Sequence, residues 1–160
     1  MNIKFRFATE EDADLYFKWT NDPIVRMNSY DSSEIIYKNH IEWFKTKIKD
    51  SSCYFYLFQD ENNNMIGQIR INNIKPNIAL IGISVDIDFR FKGIGHQILS
   101  IATEDYLQRF PIETIYAYIK KENQSSHNSF LKAGFNLKTM EIIHGIESYV
   151  MIKSQRNEDC

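Results

Sequence analysis

The stretch DFRFKGIGHQIL, residues 88–99, sets two glycines one residue apart between a basic pair and an apolar helical pattern. Glycine lets the backbone approach a ligand closely and adopt positive φ. A helix that starts just after it aims free N–H groups and the positive end of its dipole at an anion. Arg90 and Lys92 add charge nearby. Taken alone, the loop reads either as an anion cradle or as a tight strand-to-helix turn. Two nucleotide fingerprints fail on named positions. The dinucleotide pattern G-x-G-x-x-G needs a third glycine where Ile98 stands. The P-loop ends in Gly-Lys-Ser/Thr, which does not occur here. What survives is Arg90-x-x-Gly93-x-Gly95.

Just before the loop, residues 78–85 (IALIGISV) are nearly all apolar, which predicts a strand buried on both faces. After it, the pattern predicts a helix from Ile94 to Arg109, ended by Pro111. Upstream, residues 2–7 alternate as a strand. Thr9 with Asp12 opens a helix carrying Leu15, Tyr16 and Trp19, and "NDP" at 21–23 stops it. A second helix is expected over 33–48. Strands follow at 53–59 and 65–72. Downstream come a strand at 113–119, a helix at 124–133 closed by Gly134, and two strands within 135–152 joined around "HG" at 144–145. The order β-α-α-β-β-β-α-β-α-β-β predicts one mixed α/β domain over residues 1–152, with a loose tail at 153–160.

A chain of 160 residues with 43% hydrophobic content can bury a full core. Its net charge of −2 gives no general bias toward nucleic acid or an anionic membrane. No apolar run approaches the ~20 residues of a membrane span. Cys53 and Cys160 lack metal-type spacing and are not expected to pair, which fits a reducing cytoplasm. The four histidines have no metal-type partners, so no metal is expected.

Some 28 residues after Arg90 comes YIKKENQSSHNSFLKAGF, residues 118–135. With these two stretches the chain resembles the GCN5-related N-acetyltransferases, the GNAT family. The family's acetyl-CoA loop, Arg/Gln-x-x-Gly-x-Gly/Ala, is similar to Arg90, Gly93 and Gly95. Its later signature, Asn-x-x-Ser/Ala followed by Gly-Phe, is similar to Asn123, Ser126, Gly134 and Phe135. "ISVD" at 83–86 resembles the family's fourth strand. The resemblance implies a largely antiparallel sheet of six to seven strands, splayed at its centre and flanked by about four helices. It implies acetyl-CoA as the donor. Residues Phe91, Lys92, Gly93, Ile94, Gly95 and His96 would grip its pyrophosphate. Ile83, Ser84 and Val85 would pair with the pantetheine arm as an added strand. The Val85 N–H would stabilise the oxyanion. Asn123 would hydrogen-bond the coenzyme near its pantetheine end, and Ser126 and Phe130 would be further coenzyme contacts.

Two departures stand out. The position of the family's usual tyrosine acid is Phe130, and that of a glutamate some members use is Tyr118. Tyr118, Ser126 and Ser129 are the local replacements, and Tyr118 is the favoured acid. A packing role for Tyr118 is the other reading. General acid help is typically worth ~10²–10⁴-fold, so the substitution does not forbid turnover.

For the acceptor, WTNDPIVRMNSYDSSEIIYKNHIEWF, residues 19–44, resembles the GNAT subgroup that acetylates nucleotide-linked amino sugars in nonulosonic acid pathways. Asn21, Arg26, Ser29, Tyr30 and His40 are the candidate acceptor residues. Arg26 can meet a diphosphate bidentately, and Tyr30 or Tyr37 can stack on a base or sugar. The plainer readings are a solvated Arg26, a hydrogen-bonded His40, and Trp19, Trp43 and Phe44 in the core. Protein N-termini, polyamines and antibiotics are the alternative acceptors. A polyamine site needs several carboxylates, and residues 26–44 offer only Asp31, Glu34 and Glu42. An acyl-CoA-binding module without turnover is a further reading, and a homodimer through the C-terminal strands or sheet edge a further expectation.

Overall fold

A computed structural model describes residues 1–155. The strands are β1 (Lys4–Phe7), β2 (Cys53–Gln59), β3 (Met65–Lys75), β4 (Ile78–Val85), β5 (Thr114–Lys120), β6 (Asn136–Ile143) and β7 (Ile146–Ser154). The helices are α1 (Ala13–Thr20), α2 (Pro23–Asn28), α3 (Tyr37–Lys47), α4 (Ile94–Arg109) and α5 (Gln124–Lys132). The seven strands form one sheet in the order β1-β2-β3-β4-β5-β7-β6. Every neighbouring pair is antiparallel except β4 and β5, which α4 connects.

Strand β2 shows why the sheet is a middle layer. Cys53, Phe55 and Leu57 point to one face, where they pack with Tyr16 and Trp19 of α1 and Phe44 of α3. Tyr56 and Phe58 point to the other, against a larger core that includes Ile98 and Leu99 of α4 and Phe130 of α5. Trp19 and Phe44 are therefore core residues, as expected.

Three expectations need correction. Residues 33–48 do not form one helix: α3 starts at Tyr37, and the chain makes an extra short helix, α2. The proline of "NDP" both ends α1 and starts α2, at the first helical position where its missing N–H costs nothing. Asp22 caps that helix, accepting from the N–H groups of Ile24 and Val25 at 2.9 and 3.3 Å. The last strand runs to Ser154, held by its register with Thr114, so the tail begins later than residue 153. Its remainder, 156–160, with Cys160, lies outside the described residues.

The third correction bears on function. Strand β4 is not buried on both faces: only Ala79 and Ser84 are buried. Its pairing with β5 stops after three positions, Ile78, Ala79 and Leu80 opposite Thr114, Ile115 and Tyr116. Beyond them the strands part, and the apolar run from Ile81 to Val85 becomes the wall of a cleft. The expected central splay is in place.

Candidate active site

The gap between β4 and β5 has one free backbone edge that can be oriented from the ladder. Asp86 N–H donates to Ile66 at 2.8 Å, and Val85 lies opposite Gly67. N–H groups alternate sides along a strand. Those of Val85 and Ile83 therefore point away from β3, into the gap.

Two bonds anchor this end of β4. Trp19 Nε1 donates to the buried Asp86 carboxylate at 2.8 Å. Arg90 Nε donates to the Val85 carbonyl at 2.9 Å, while its other end pairs with Asp22 at 3.1 Å. Arg90 thus acts as a clamp between β4 and the α2 cap. The charge that the spacing suggested for an anion is thereby paired with Asp22.

The loop that follows curls tightly, with Phe91 at φ +61° and Gly93 at φ +73°. The glycines have different reasons. Gly93 holds the left-handed position at the start of α4, where a side chain is strained. Gly95 has an ordinary φ, but a Cβ there would stand 3.2 Å from Ser129 Oγ, so it lets α5 close against α4. The first amides of α4 have no intrahelical partner.

These elements surround a cleft of about 780 Å³. It is lined by Ile83, Ser84, Val85, Arg90, Phe91 and Gly93–His96 on one side. Tyr118, Asn123, Ser126, Ser129 and Phe130 line the other. Lys92 lies over the Phe89 ring instead and does not line it. Asn123 caps α5, its Oδ1 accepting from Ser126 N–H at 3.2 Å. Phe130 is buried edge-to-face against Phe135, so the usual acid position is packed with carbon. Tyr118 is 41% exposed, and among the described residues its hydroxyl makes no hydrogen bond. Partial burial, with Glu141 nearby, pushes its pKa up, so it stays protonated at neutral pH and can donate.

A second cleft of about 460 Å³ opens beneath α1 and α3. It meets the first along β3 and β4, where both are lined by Arg70, Gly82, Ile83 and Ser84. Of the candidate acceptor residues, Arg26, Ser29 and His40 line it, and Ser29 and Tyr30 line the first. Most also hold the framework. Arg26 donates to the carbonyls of Thr20, Asp31 and Ser33 and to Ser29 Oγ, at 2.8–3.3 Å. Asn21 Oδ1 accepts from Ile35 N–H at 3.0 Å. His40 Nε2 donates to the Ala13 carbonyl at 3.2 Å, which fixes the tautomer. Burial holds its pKa below the ordinary value. Tyr30 donates to Ser148 Oγ at 2.6 Å. Tyr37 donates to Asp14 and lines neither cleft.

The sequence reading missed Gln68 and Arg70. They stand two apart on β3, hence on one face, and Arg70 stacks over Trp43 at 5.1 Å. The signal was present in MIGQIRIN: two polar residues at period two inside an apolar strand. Among the described residues no Asp or Glu lines either cleft. Among the described residues no group of three His, Cys, Asp or Glu side chains could hold a metal, and no helix is long and apolar enough to cross a membrane.

Comparison with known proteins agrees with this geometry. The model of a family described as an acetyltransferase (GNAT) domain matches residues 2–136. The chain is 27% identical over 140 residues to acetyltransferase PseH of Campylobacter jejuni, covering 84% of this chain and 85% of that one. Its fold is similar to the spermidine N-acetyltransferase of Vibrio cholerae solved with CoA and spermine. The TM-score is 0.86 at 16% identity, over 96% of both chains.

Proposed function

The chain belongs to the GNAT acetyltransferase family, and from that premise we propose that it transfers the acetyl group of acetyl-CoA to the amine of an anionic small molecule, a nucleotide-linked amino sugar. Acetyl-CoA is the donor, and the first cleft fits it. The freed β4 edge suits the amides of a pantetheine arm, and the curled loop at the α4 N-terminus suits a pyrophosphate. Val85 N–H serves as the oxyanion donor, steadied by the Trp19 and Arg90 bonds on either side of it. Tyr118 gives its proton to the departing thiolate, in place of the hydroxyl that Phe130 lacks.

The observation that carries the acceptor class is that, among the described residues, no carboxylate lines either cleft, beside the unneutralised Arg70. A second cation 5–6 Å from Arg70 costs about 3 kcal/mol at an effective dielectric near 20. That is a roughly 100-fold penalty on a polyamine, and an anion gains in its place. The same field disfavours the ammonium form of the acceptor amine, so the amine reaches its nucleophilic state without a dedicated base. The choice of a nucleotide-linked sugar rests on the layout of Asn21, Asp22, Pro23, Val25, Arg26, Ser29, His40, Trp43 and Phe44, with the similarity to acetyltransferase PseH beside it. In this reading Arg26 and His40 form the acceptor wall, Asn21 braces it through Ile35, Ser29 borders both clefts and Tyr30 borders the first.

Thiol release from acetyl-CoA against a panel of amines tests the reading. The expected outcome is turnover on a UDP-4-amino sugar and little on spermidine or peptide N-termini. Preferred turnover on spermidine would refute it, and binding of coenzyme A with no turnover on any amine would leave a non-catalytic module.

A further inference from the structure

Arg70 is the exception among the described arginines. Arg6 holds Asp12, Arg90 holds Asp22, Arg109 holds Asp105, and Arg26 holds three carbonyls and a hydroxyl. Arg70 is half-buried and, among the described residues, its guanidinium makes no ion pair or hydrogen bond. Its only electrostatic neighbours are Tyr16 and Cys53, both neutral. Its single contact of note is the Trp43 face, which orients a guanidinium without neutralising it. Across the ladder stands Gly82, where a Cβ would meet nothing within 4 Å, so no side chain overhangs Arg70 from that strand.

Two more polar groups at this place lack partners. The Tyr16 hydroxyl, on a side chain 2% exposed, has none, and neither has Gln68 Oε1, on a side chain 9% exposed. The other end of the Gln68 amide donates to Ser84 Oγ at 3.1 Å. Buried polar atoms are nearly always satisfied. Here Tyr16, Gln68 and Arg70, the side chains that carry two unsatisfied buried atoms and an unneutralised guanidinium, line one cleft.

Building on the acceptor reading above, we infer that Arg70, Tyr16 and Gln68 form an oxyanion subsite at the floor of the acceptor cleft. The guanidinium and the Tyr16 hydroxyl donate to a carboxylate or phosphoryl group, and Gln68 Oε1 accepts from a hydroxyl or N–H beside that group. The planar fork of arginine suits two oxygens of one group. Because Arg70 also borders the donor cleft, the bound anion sets how far the acceptor amine lies from the thioester. Arg70 is thus a specificity-determining residue for the acceptor.

Calorimetric titration of the protein saturated with coenzyme A, so that the donor loop is filled, tests this with two probes: pyrophosphate and glucuronate. Each variant is first shown to keep the parent's near-ultraviolet circular dichroism. At least one probe binds the parent. Arg70→Gln weakens that binding at least 30-fold, Arg70→Lys weakens it less, and Gln68→Leu weakens it several-fold. The preferred probe tells a phosphoryl from a carboxylate ligand. Binding of neither probe to the parent, or unchanged binding to Arg70→Gln, overturns the subsite. Should Arg70→Gln not fold, unchanged binding in both Arg70→Lys and Gln68→Leu overturns it. The readout is binding, so failure to acetylate amino sugars would refute the acceptor identity and leave the subsite result standing.

Discussion

The two clefts are built from different materials. The donor cleft is made of backbone: a strand edge released from its neighbour, a loop at positive φ, and the amides that open a helix. The acceptor cleft is made of side chains, and several of its members are engaged in holding the chain together. A backbone site tolerates changes in nearby side chains and fails when the chain path changes. A side-chain site behaves the opposite way.

The largest expected effect breaks that contrast at the one side chain proposed for catalysis. Tyr118→Phe should lower kcat about 100-fold with the KM for acetyl-CoA nearly unchanged, because it removes proton donation and not binding. Phe130→Tyr should give little gain in steady-state kinetics. A 100-fold rise would show that Tyr118 is not the acid. Next is Gly67, opposite Val85. Any Cβ there meets the Ser84 carbonyl at 2.5 Å. Gly67→Ala should cost ~2–3 kcal/mol in denaturant unfolding and weaken acetyl-CoA binding, since the ladder that orients the Val85 amide must shift. A smaller effect, ~1–2 kcal/mol, is expected for Gly93→Ala at its left-handed position. Its calorimetric signature is weaker coenzyme A binding with unchanged acceptor binding.

The smallest effect belongs to the acceptor wall. His40 has its pKa held down by burial, so the unfolded chain takes up a proton before the folded one does. Stability is then full above the unfolded value of about 6.5 and falls as pH drops from there toward the folded pKa. Thermal melts between pH 7.5 and 5 should show this loss, and His40→Gln should flatten it.

The donor half was legible because its signals are local. Gly93 and Gly95 lie one residue apart at the start of α4, and Asn123 with Ser126 marks a helix start. Even so, the apolar run 78–85 was read as a doubly buried strand. Nothing in it shows that β5 leaves after Leu80, since the departure depends on where a segment some 35 residues away goes. Arg90 reads as charge beside an anion because its partner, Asp22, is distant in sequence and no spacing pairs the two. The acceptor half was less legible for the same reason. Arg26, Asn21 and His40 find framework partners that spacing cannot reveal, while Arg70 sat unremarked in a strand until α1 and α3 were folded over it.

The acceptor claim turns on charge, and one comparison reaches it directly: kcat/KM for a 4-amino sugar linked to its nucleotide diphosphate, against the same amino sugar without it. The amine is identical in both. The expected result is at least a 30-fold preference for the nucleotide-linked form, reduced in Arg70→Gln. Equal values, or a preference for the uncharged sugar, would contradict an acceptor cleft built for an anion.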